Sequence, residues 1–235
     1  MSKVFTTKEA LTLRKNFQGA YLAALHARLK MNFVYIITPC SRPKNLETLY
    51  KSIASTFGDN FLWLIVGDSS KCNRHLSKFD SGNTRIIDHP NSYSGNLQRN
   101  TGIEWVKKHS KGGFWIHFLD DDNIIHPDIK HYFHEFTSSY DIVAVSQCLK
   151  TGHPRRVQFG DYENMEASEA KMKIKQVDLA QVFFKHSCLD DLHFRKSSYQ
   201  ADGILIQAML EKKYKFNFVK NYLCYYNYLS SNIVY

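Results

Sequence analysis

Short apolar runs alternate along the chain with segments in which apolar residues recur every three or four positions. Runs rich in β-branched and aromatic residues predict buried strands, and the wider spacing predicts helices. The predicted strands cover residues 33–38, 61–66, 84–87, 114–119, 142–146 and 182–184. One predicted helix begins after Asn45, which is its expected N-cap. Three further helices are predicted at 97–108, 128–136 and 201–212. This alternation predicts an α/β fold with a single Rossmann-like, mainly parallel sheet and helices on both faces.

Residues 1–30 differ in composition from the rest of the chain and are predicted to form a separate extension. Leucines recur here beside arginines and lysines, and Glu9 is the one acid of the segment. A basic amphipathic helix of this kind packs on its own domain, packs on a second copy or lies on a membrane surface, and the sequence leaves these possibilities open. Residues 31–235 are predicted to form one domain, because their number suits a single core.

Two further segments have a distinctive composition. Residues 151–175 are polar and contain Gly152, Pro154 and Gly160, so we expect loops there, with a short helix near 163–172, that close over a substrate. Residues 216–228 are rich in tyrosine and are expected to pack back on the domain.

The composition is that of a globular protein, with 43% hydrophobic and 23% charged residues. The formal net charge of +9 favours anionic partners such as nucleic acid, phosphate-bearing substrates or anionic membranes. The five cysteines lack C-x-x-C spacing, so they indicate neither a disulfide framework nor a zinc site, and a reducing cytosol suits them. Because no apolar run reaches the roughly 20 residues of a membrane-spanning helix and no secretory signal is visible, we expect a cytoplasmic protein.

Three polar turns follow predicted strands, and such turns meet at one edge of a parallel sheet. They are Thr-Pro-Cys-Ser-Arg-Pro at 38–43, Gly-Asp-Ser-Ser at 67–70 and Asp-Asp-Asp-Asn at 120–123. The chain has neither a G-x-G-x-x-G motif nor a P-loop that would hold phosphate through backbone amides.

Three consecutive aspartates repel one another unless a cation or the surrounding water offsets their charge. Asp120 and Asp122 share one side of an extended backbone, so both can reach one ligand. Oxygen ligands of this kind favour manganese or magnesium over zinc. The alternative is a solvated acidic turn that precedes a helix.

Four motifs occur in an order that resembles the GT-A glycosyltransferases, particularly the large family-two group and the glucuronyltransferases. They are Tyr-Ile-Ile-Thr-Pro-Cys-Ser-Arg-Pro, Val-Gly-Asp-Ser, Asn-Leu-Gln-Arg-Asn-Thr-Gly and Asp-Asp-Asp-Asn, and the resemblance covers residues 32–228. It implies the GT-A fold, a nucleotide-sugar donor with a UDP-sugar favoured, and a manganese or magnesium cofactor at a DxD motif.

The resemblance also implies roles for individual residues. Thr38, Pro39 and Arg42 would line the nucleotide pocket. Asp68 would hydrogen-bond the uracil ring, and Arg99 would face the pocket and help to bind the donor.

The acidic turn would complete the donor site. Asp120 would lie near the ribose or the sugar, and Asp121 would belong to the same donor-binding turn. Asp122 would hold the metal that bridges the diphosphate.

Inverting members of the group use a carboxylate as general base ahead of a late helix, and Asp202 has the matching position. The family often has Glu-Asp there, whereas Ala201 precedes Asp202, so Asp190 and Asp191 remain competitors. Asp202 would take the proton from an acceptor hydroxyl as this attacks the anomeric carbon, which inverts that centre. The alternative role for Asp202 is a helix cap. His186 is an extra metal ligand or, as we favour, a structural histidine.

Two other functions stay open. A basic nucleic-acid-binding protein would use lysine and arginine on phosphates and tyrosines for stacking, although the acid cluster argues against it. A nucleotidyltransferase would also bind nucleotides through metal-bound acids. We expect no nucleic acid, and instead a saccharide or glycolipid acceptor in surface-polysaccharide or glycoconjugate synthesis, with peripheral membrane contact through residues 1–30.

Overall fold

A computed structural model of the chain describes residues 33–76, 82–90, 93–135, 139–149, 164–165, 167–169, 172, 177–195, 198 and 200–229. The predicted extension at 1–30 lies outside these residues. Most of the predicted loop segment at 151–175 lies outside them as well.

One sheet organises the described residues, and it contains nine strands. They are β1 (Val34–Pro39), β2 (Phe61–Gly67), β3 (Thr84–Asp88), β4 (Trp115–Phe118), β5 (Ile124–Ile125), β6 (Ile142–Leu149), β7 (Asn164–Met165), β8 (Val182–Lys185) and β9 (Phe216–Tyr226). Their order is β3-β2-β1-β4-β8-β6-β9-β5, and β7 pairs with β6. Each of the six predicted strands overlaps an observed one.

The longer strands run mainly in one direction. β1 is parallel to β2 and β4, and β2 is parallel to β3. β8 is antiparallel to both β4 and β6, so β6 and its parallel neighbour β9 run in the same direction as β4. The mainly parallel α/β sheet is therefore confirmed. The carboxyl ends of β1, β4 and β6 meet the amino end of β8 along one side of the sheet, which we call the carboxyl edge.

Four α-helices occur in the described residues, and they cover both faces of the sheet. They are α1 (Leu46–Phe57), α2 (Ser69–Leu76), α3 (Asn96–His109) and α4 (Ala201–Glu211). In β1, Val34 and Ile36 pack into the cluster that contains the apolar face of α1. Tyr35 and Ile37 alternate with them and pack into the cluster that contains Ile103 and Val106 of α3 and Leu205 of α4. None of the helices described here is long and apolar enough to cross a bilayer.

The structure departs from the predicted elements in three places. A 3-10 helix, Pro127–Glu135, replaces the predicted helix at 128–136. The predicted helix at 163–172 is wrong at Asn164–Met165, because these residues pair with β6, and most of its remaining residues lie outside the described part. The tyrosine-rich end packs back as predicted, but as the 11-residue strand β9, which suits its aromatic residues.

We expect Gly102→Val to lower the free energy of unfolding by about 1–3 kcal/mol, because it overpacks the contact between α3 and β1. A Cβ atom at Gly102 would lie 2.5 Å from Cγ2 of Ile37. Gly113→Ala is the matched control, since a Cβ atom there meets nothing within 4 Å. Urea denaturation of both variants measures the difference. Equal stability of the two variants would contradict this account of the packing.

Candidate active site

The three consecutive aspartates follow β4 at the carboxyl edge, where the apolar strand gives way to a turn. The backbone N–H of Asn123 donates to the carbonyl of Asp120 at 3.1 Å and closes this turn. The side chains differ in exposure: Asp120 is 32% exposed, Asp121 1% and Asp122 9%. Leu229, which follows β9, borders the turn, because its N–H donates to the carbonyl of Asp122 at 2.9 Å. Adjacent acids therefore have different surroundings.

Asp121 fastens the turn after β1 to the turn after β4. Its carboxylate accepts from the backbone N–H of Ser41 at 2.6 Å, from the backbone N–H of Arg42 and from the Arg42 guanidinium. Its carbonyl accepts from the Asn45 amide at 2.9 Å, so Asn45 stands at the N-cap position of α1 without the predicted capping bond. Because these partners are part of the protein, Asp121 presents no free side chain at the edge.

Asp122 is a buried acid with a weaker partner. Its Oδ2 lies 3.1 Å from Nη2 of Arg42. Burial raises the pKa of Asp122 to about 7, although Arg42 lowers it, and Asp120 and Asp121 raise it further. A carboxyl with this pKa gains from an additional cation beside it.

Arg99 of α3 is the second cation of the site. Its Nη2 donates to Oδ1 of Asp120 at 2.6 Å, and its Nη1 donates to the carbonyl of Ser94 at 2.8 Å. The guanidinium carbon lies 5.5 Å from the ring centroid of Phe194. Its side chain is only 4% exposed, so its direction is fixed by these contacts.

Gly95 lets α3 begin close to β1. It has φ +69°, and a Cβ atom there would lie 2.7 Å from Cβ of Pro39. The buried Pro39 therefore packs against the start of the helix that carries Arg99.

Asp202 joins this group from the first turn of α4. Its Oδ1 lies 3.9 Å from Nη1 of Arg99, and its side chain is 23% exposed. Burial raises the pKa of Asp202 to about 6; Arg99 and the Leu179 N–H lower it, and Asp120 raises it.

The competing acids and His186 lie at the opposite edge, because β8 runs against β4. Lys185, at the carboxyl end of β8, pairs with Trp115 at the start of β4. His186 N–H donates to the carbonyl of Phe114 at 2.9 Å. Asp191 accepts from Lys212 and from the Tyr214 hydroxyl.

Sequence reasoning missed Asp178, which precedes β8 at the carboxyl edge. Its Oδ1 accepts from the Asn123 amide at 3.2 Å, the Gln147 amide at 3.2 Å and the Ala180 N–H at 2.8 Å. Burial, then the charges of Asp120 and Asp202, raise its pKa well above the ordinary value. The Asp-x-x-Gln spacing of a capping box directly before an apolar run is the signal that could have indicated it.

Two other expected donor residues have protein partners of their own. Thr38 is fully buried, and its hydroxyl accepts from the Trp63 indole N–H at 2.8 Å. Asp68 follows β2 and is 43% exposed. It accepts from the Ser70 hydroxyl at 2.6 Å and the Ser70 N–H at 3.0 Å, which caps α2.

The residues present fit a divalent cation only together with a substrate. The described part of the chain contains no group of three or more metal-ligating side chains. Magnesium-type sites, however, use one or two carboxylates and complete their shell with substrate phosphates and water. Asp122 has a raised pKa, and the partner of its carboxylate is Arg42 alone among the described contacts, so it is the carboxylate suited to such a site.

We expect Asp121→Ala to lower the free energy of unfolding by about 3–5 kcal/mol, because it leaves Arg42 and two backbone N–H groups without their acceptor. Asp122→Asn is the matched control and should leave stability unchanged or raise it, since burial dominates the pKa of Asp122 and disfavours its charge. Urea denaturation distinguishes the two. A stable Asp121→Ala protein would contradict the fastening role.

Comparison with solved structures shows a shared fold. S. aureus TarS 1–349 matches with a TM-score of 0.61 and 16% identity over 83% of this chain and 60% of that chain. The mannosyltransferase PcManGT from Pyrobaculum calidifontis, solved with GDP-Man and Mn2+, matches with a TM-score of 0.58 and 14% identity over 95% of this chain and 68% of that chain. The inositol-1-phosphate CTP transferase from T. maritima matches with a TM-score of 0.53 and 12% identity over 83% of this chain and 89% of that chain.

Sequence comparison is more specific. No curated protein matches the chain. The similarity to glucuronyltransferases stays a prediction. A model of the family described as glycosyl transferase family 2 matches residues 35–188, which is more than half of the chain. The chain therefore belongs to glycosyl transferase family 2.

Proposed function

We propose that this chain transfers a sugar from a nucleotide-sugar donor to an acceptor hydroxyl, with inversion at the anomeric carbon. The observation that carries the proposal is that two ion pairs, Arg42 with Asp122 and Arg99 with Asp202, lie at the carboxyl edge of a chain that belongs to a family of glycosyltransferases. A UDP-sugar is the proposed donor, because the same TarS fragment was solved with UDP-GlcNAc. The proposed acceptor is a saccharide or glycolipid.

The donor is proposed to lie along the carboxyl edge from β2 to β4. Asp68 is exposed enough to accept from a base, and its pKa is lowered by the bond from the Ser70 hydroxyl. Arg42 offers a guanidinium beside the place for the diphosphate, and Asp120 is exposed enough to reach the ribose or sugar. Thr38, Pro39 and Asp121 act by shaping this pocket, since all three are buried.

Asp122 would hold a manganese or magnesium ion. When bound, such an ion neutralises charge on the departing nucleoside diphosphate. The raised pKa of Asp122 favours this role, because a neighbouring cation stabilises the charged form that burial disfavours.

Asp202 is the proposed general base. With a pKa of about 6 it is mostly ionised at neutral pH, yet it is a stronger base than an ordinary aspartate. Its carboxylate would accept the proton of the acceptor hydroxyl while the oxygen attacks the anomeric carbon. Arg99 holds Asp202 and Asp120 on either side of one guanidinium, which orients the base towards the donor.

A nucleotidyltransferase is the second candidate, supported by the fold shared with the T. maritima inositol-1-phosphate CTP transferase. The two reactions release different products from the nucleotide. Sugar transfer releases a nucleoside diphosphate, whereas nucleotidyl transfer releases pyrophosphate, so product analysis separates them.

We expect UDP-sugars to raise the melting temperature in the presence of manganese, because ligand binding stabilises the native state. Asp122→Asn should lose the manganese-dependent part of this stabilisation. Asp141→Asn is the matched control, because Asp141 lies at the opposite edge of the sheet from the site. It is near the carboxyl end of the antiparallel strand β8 and accepts from Lys215 N–H there. Thermal shift with UDP, GDP and CDP sugars measures this. A manganese response that persists in Asp122→Asn would contradict the assignment.

The rate at saturating donor should fall about tenfold per pH unit below about pH 6, because protonation removes the base form of Asp202. The sign follows from the active form: the carboxylate is present above its pKa and is lost as the pH falls. Asp202→Asn should lower the rate by about 10²–10⁴ while donor stabilisation is kept. A fast Asp202→Asn enzyme with the same acid limb would exclude Asp202 as the base.

A further inference from the structure

Asn123 closes the aspartate turn, and its side chain is fully buried directly after Asp122. Its backbone N–H donates to the carbonyl of Asp120 at 3.1 Å. A side-chain amide carries two kinds of hydrogen-bonding atom, because its nitrogen donates and its oxygen accepts. Both atoms of the Asn123 amide are bonded, and their partners lie in two other segments of the chain.

The amide nitrogen of Asn123 binds the turn before β8. Its Nδ2 donates to Oδ1 of Asp178 at 3.2 Å. The same oxygen accepts from the Gln147 amide of β6 at 3.2 Å and from the Ala180 N–H at 2.8 Å. Asp178 is therefore held by β6 and by its own turn, so Asn123 donates to an acceptor whose position is fixed by other contacts.

The amide oxygen of Asn123 binds the segment that follows β9. Its Oδ1 accepts from the backbone N–H of Asn227 at 2.9 Å. Two residues later, the N–H of Leu229 donates to the carbonyl of Asp122 at 2.9 Å. The segment after β9 thus holds the acidic turn at two successive residues. Asn227 has φ +49°, a left-handed conformation that asparagine tolerates and β-branched residues rarely adopt.

Hydrogen bonds hold the backbone on both sides of Asp122. Before it, the carbonyl of Asp121 accepts from the Asn45 amide at 2.9 Å. After it, Asn123 is bonded to Asp178 and to the segment after β9. The direction of a carboxylate that binds a cation depends on the groups bonded behind it. The bridge made by Asn123 therefore bears on where the Asp122 carboxylate points.

We propose that Asn123 is a positioning residue for the cation site: its buried amide ties the aspartate turn to Asp178 and to the Asn227 N–H, and so sets the direction of the Asp122 carboxylate. The inference rests on the proposed function, in which Asp122 holds a manganese or magnesium ion. It assigns Asn123 no contact with the cation, the donor or the acceptor. Loss of the Asn123 amide should therefore weaken cation binding and spare nucleotide binding without the cation.

Asn123→Ala removes both halves of the bridge. In the presence of UDP, its affinity for manganese should fall about 10–100-fold, while its affinity for UDP without manganese stays within about threefold of the wild type. The protein-dependent change in the electron paramagnetic resonance spectrum of manganese measures the first affinity, and calorimetry measures the second. Neither readout requires sugar transfer.

Asn100→Ala is the matched control, because the Asn100 side chain also makes two bonds to a distant segment. Its Nδ2 donates to the carbonyl of Phe194 at 2.9 Å, and its Oδ1 accepts from the Phe194 N–H at 2.8 Å. Its manganese affinity should stay within about threefold of the wild type, well inside the loss expected at a residue behind a metal ligand. Equal manganese affinity in Asn123→Ala and Asn100→Ala would overturn the proposal.

A second pair of variants keeps the test decisive if Asn123→Ala does not fold. Asn227→Gly adopts φ +49° without strain and keeps its N–H for Asn123, whereas Asn227→Val disfavours that conformation. Manganese affinity in the presence of UDP should stay at the wild-type value in Asn227→Gly and fall about tenfold or more in Asn227→Val. The same affinity in both Asn227 variants would exclude the positioning role.

These measurements distinguish failure of this inference from failure of the proposed function. If the wild type binds manganese beside UDP and Asn123→Ala binds it equally well, the positioning role is removed and sugar transfer is left standing. If the wild type binds UDP but no manganese, the cation role of Asp122 is contradicted, and the positioning role falls with it.

Discussion

Two arginines hold four aspartates together at one edge of the sheet, and the geometry of the site depends on this attraction. Arg42 binds Asp121 and Asp122, and Arg99 binds Asp120 and approaches Asp202. Asp178 completes the acidic group through the backbone turn before β8. Burial raises the pKa of several of these acids, and repulsion between neighbouring carboxylates raises it further. A site short of positive charge is suited to a cation, and the cation in turn suits a diphosphate.

The direction of β8 decides which acids belong to this group. In a wholly parallel sheet, the residues after each strand gather at the functional edge, and that rule correctly brings Asp68 and Asp120 there. β8 runs the other way, so the rule inverts: Asp178, before the strand, lies at the site, and Asp191, after it, lies at the far edge. Asp190 and Asp191 had remained competitors because Ala201 stands before Asp202 where the family often has glutamate. The sequence could not exclude them by position, because an apolar run does not reveal the direction of its strand.

Much of the fold follows from the sequence because buried strands have continuous apolar runs. The run at 61–66 and its end at Gly67 appear as β2, and Ile103 and Val106 face the sheet from α3. The site was harder to predict than the fold. The sequence shows that three aspartates are adjacent, but it does not show which way each side chain points. The Asp121 carboxylate accepts hydrogen bonds from Ser41 and Arg42, which are far away in the sequence, and no local pattern predicts this contact.

The most direct test of this account is a crystal structure of the protein with UDP and manganese. The account predicts that Asp122 would hold a cation beside the diphosphate, with the uracil towards Asp68. A nucleotide bound elsewhere, or a diphosphate at the carboxyl edge with Arg42 still on Asp122 and no cation there, would contradict it.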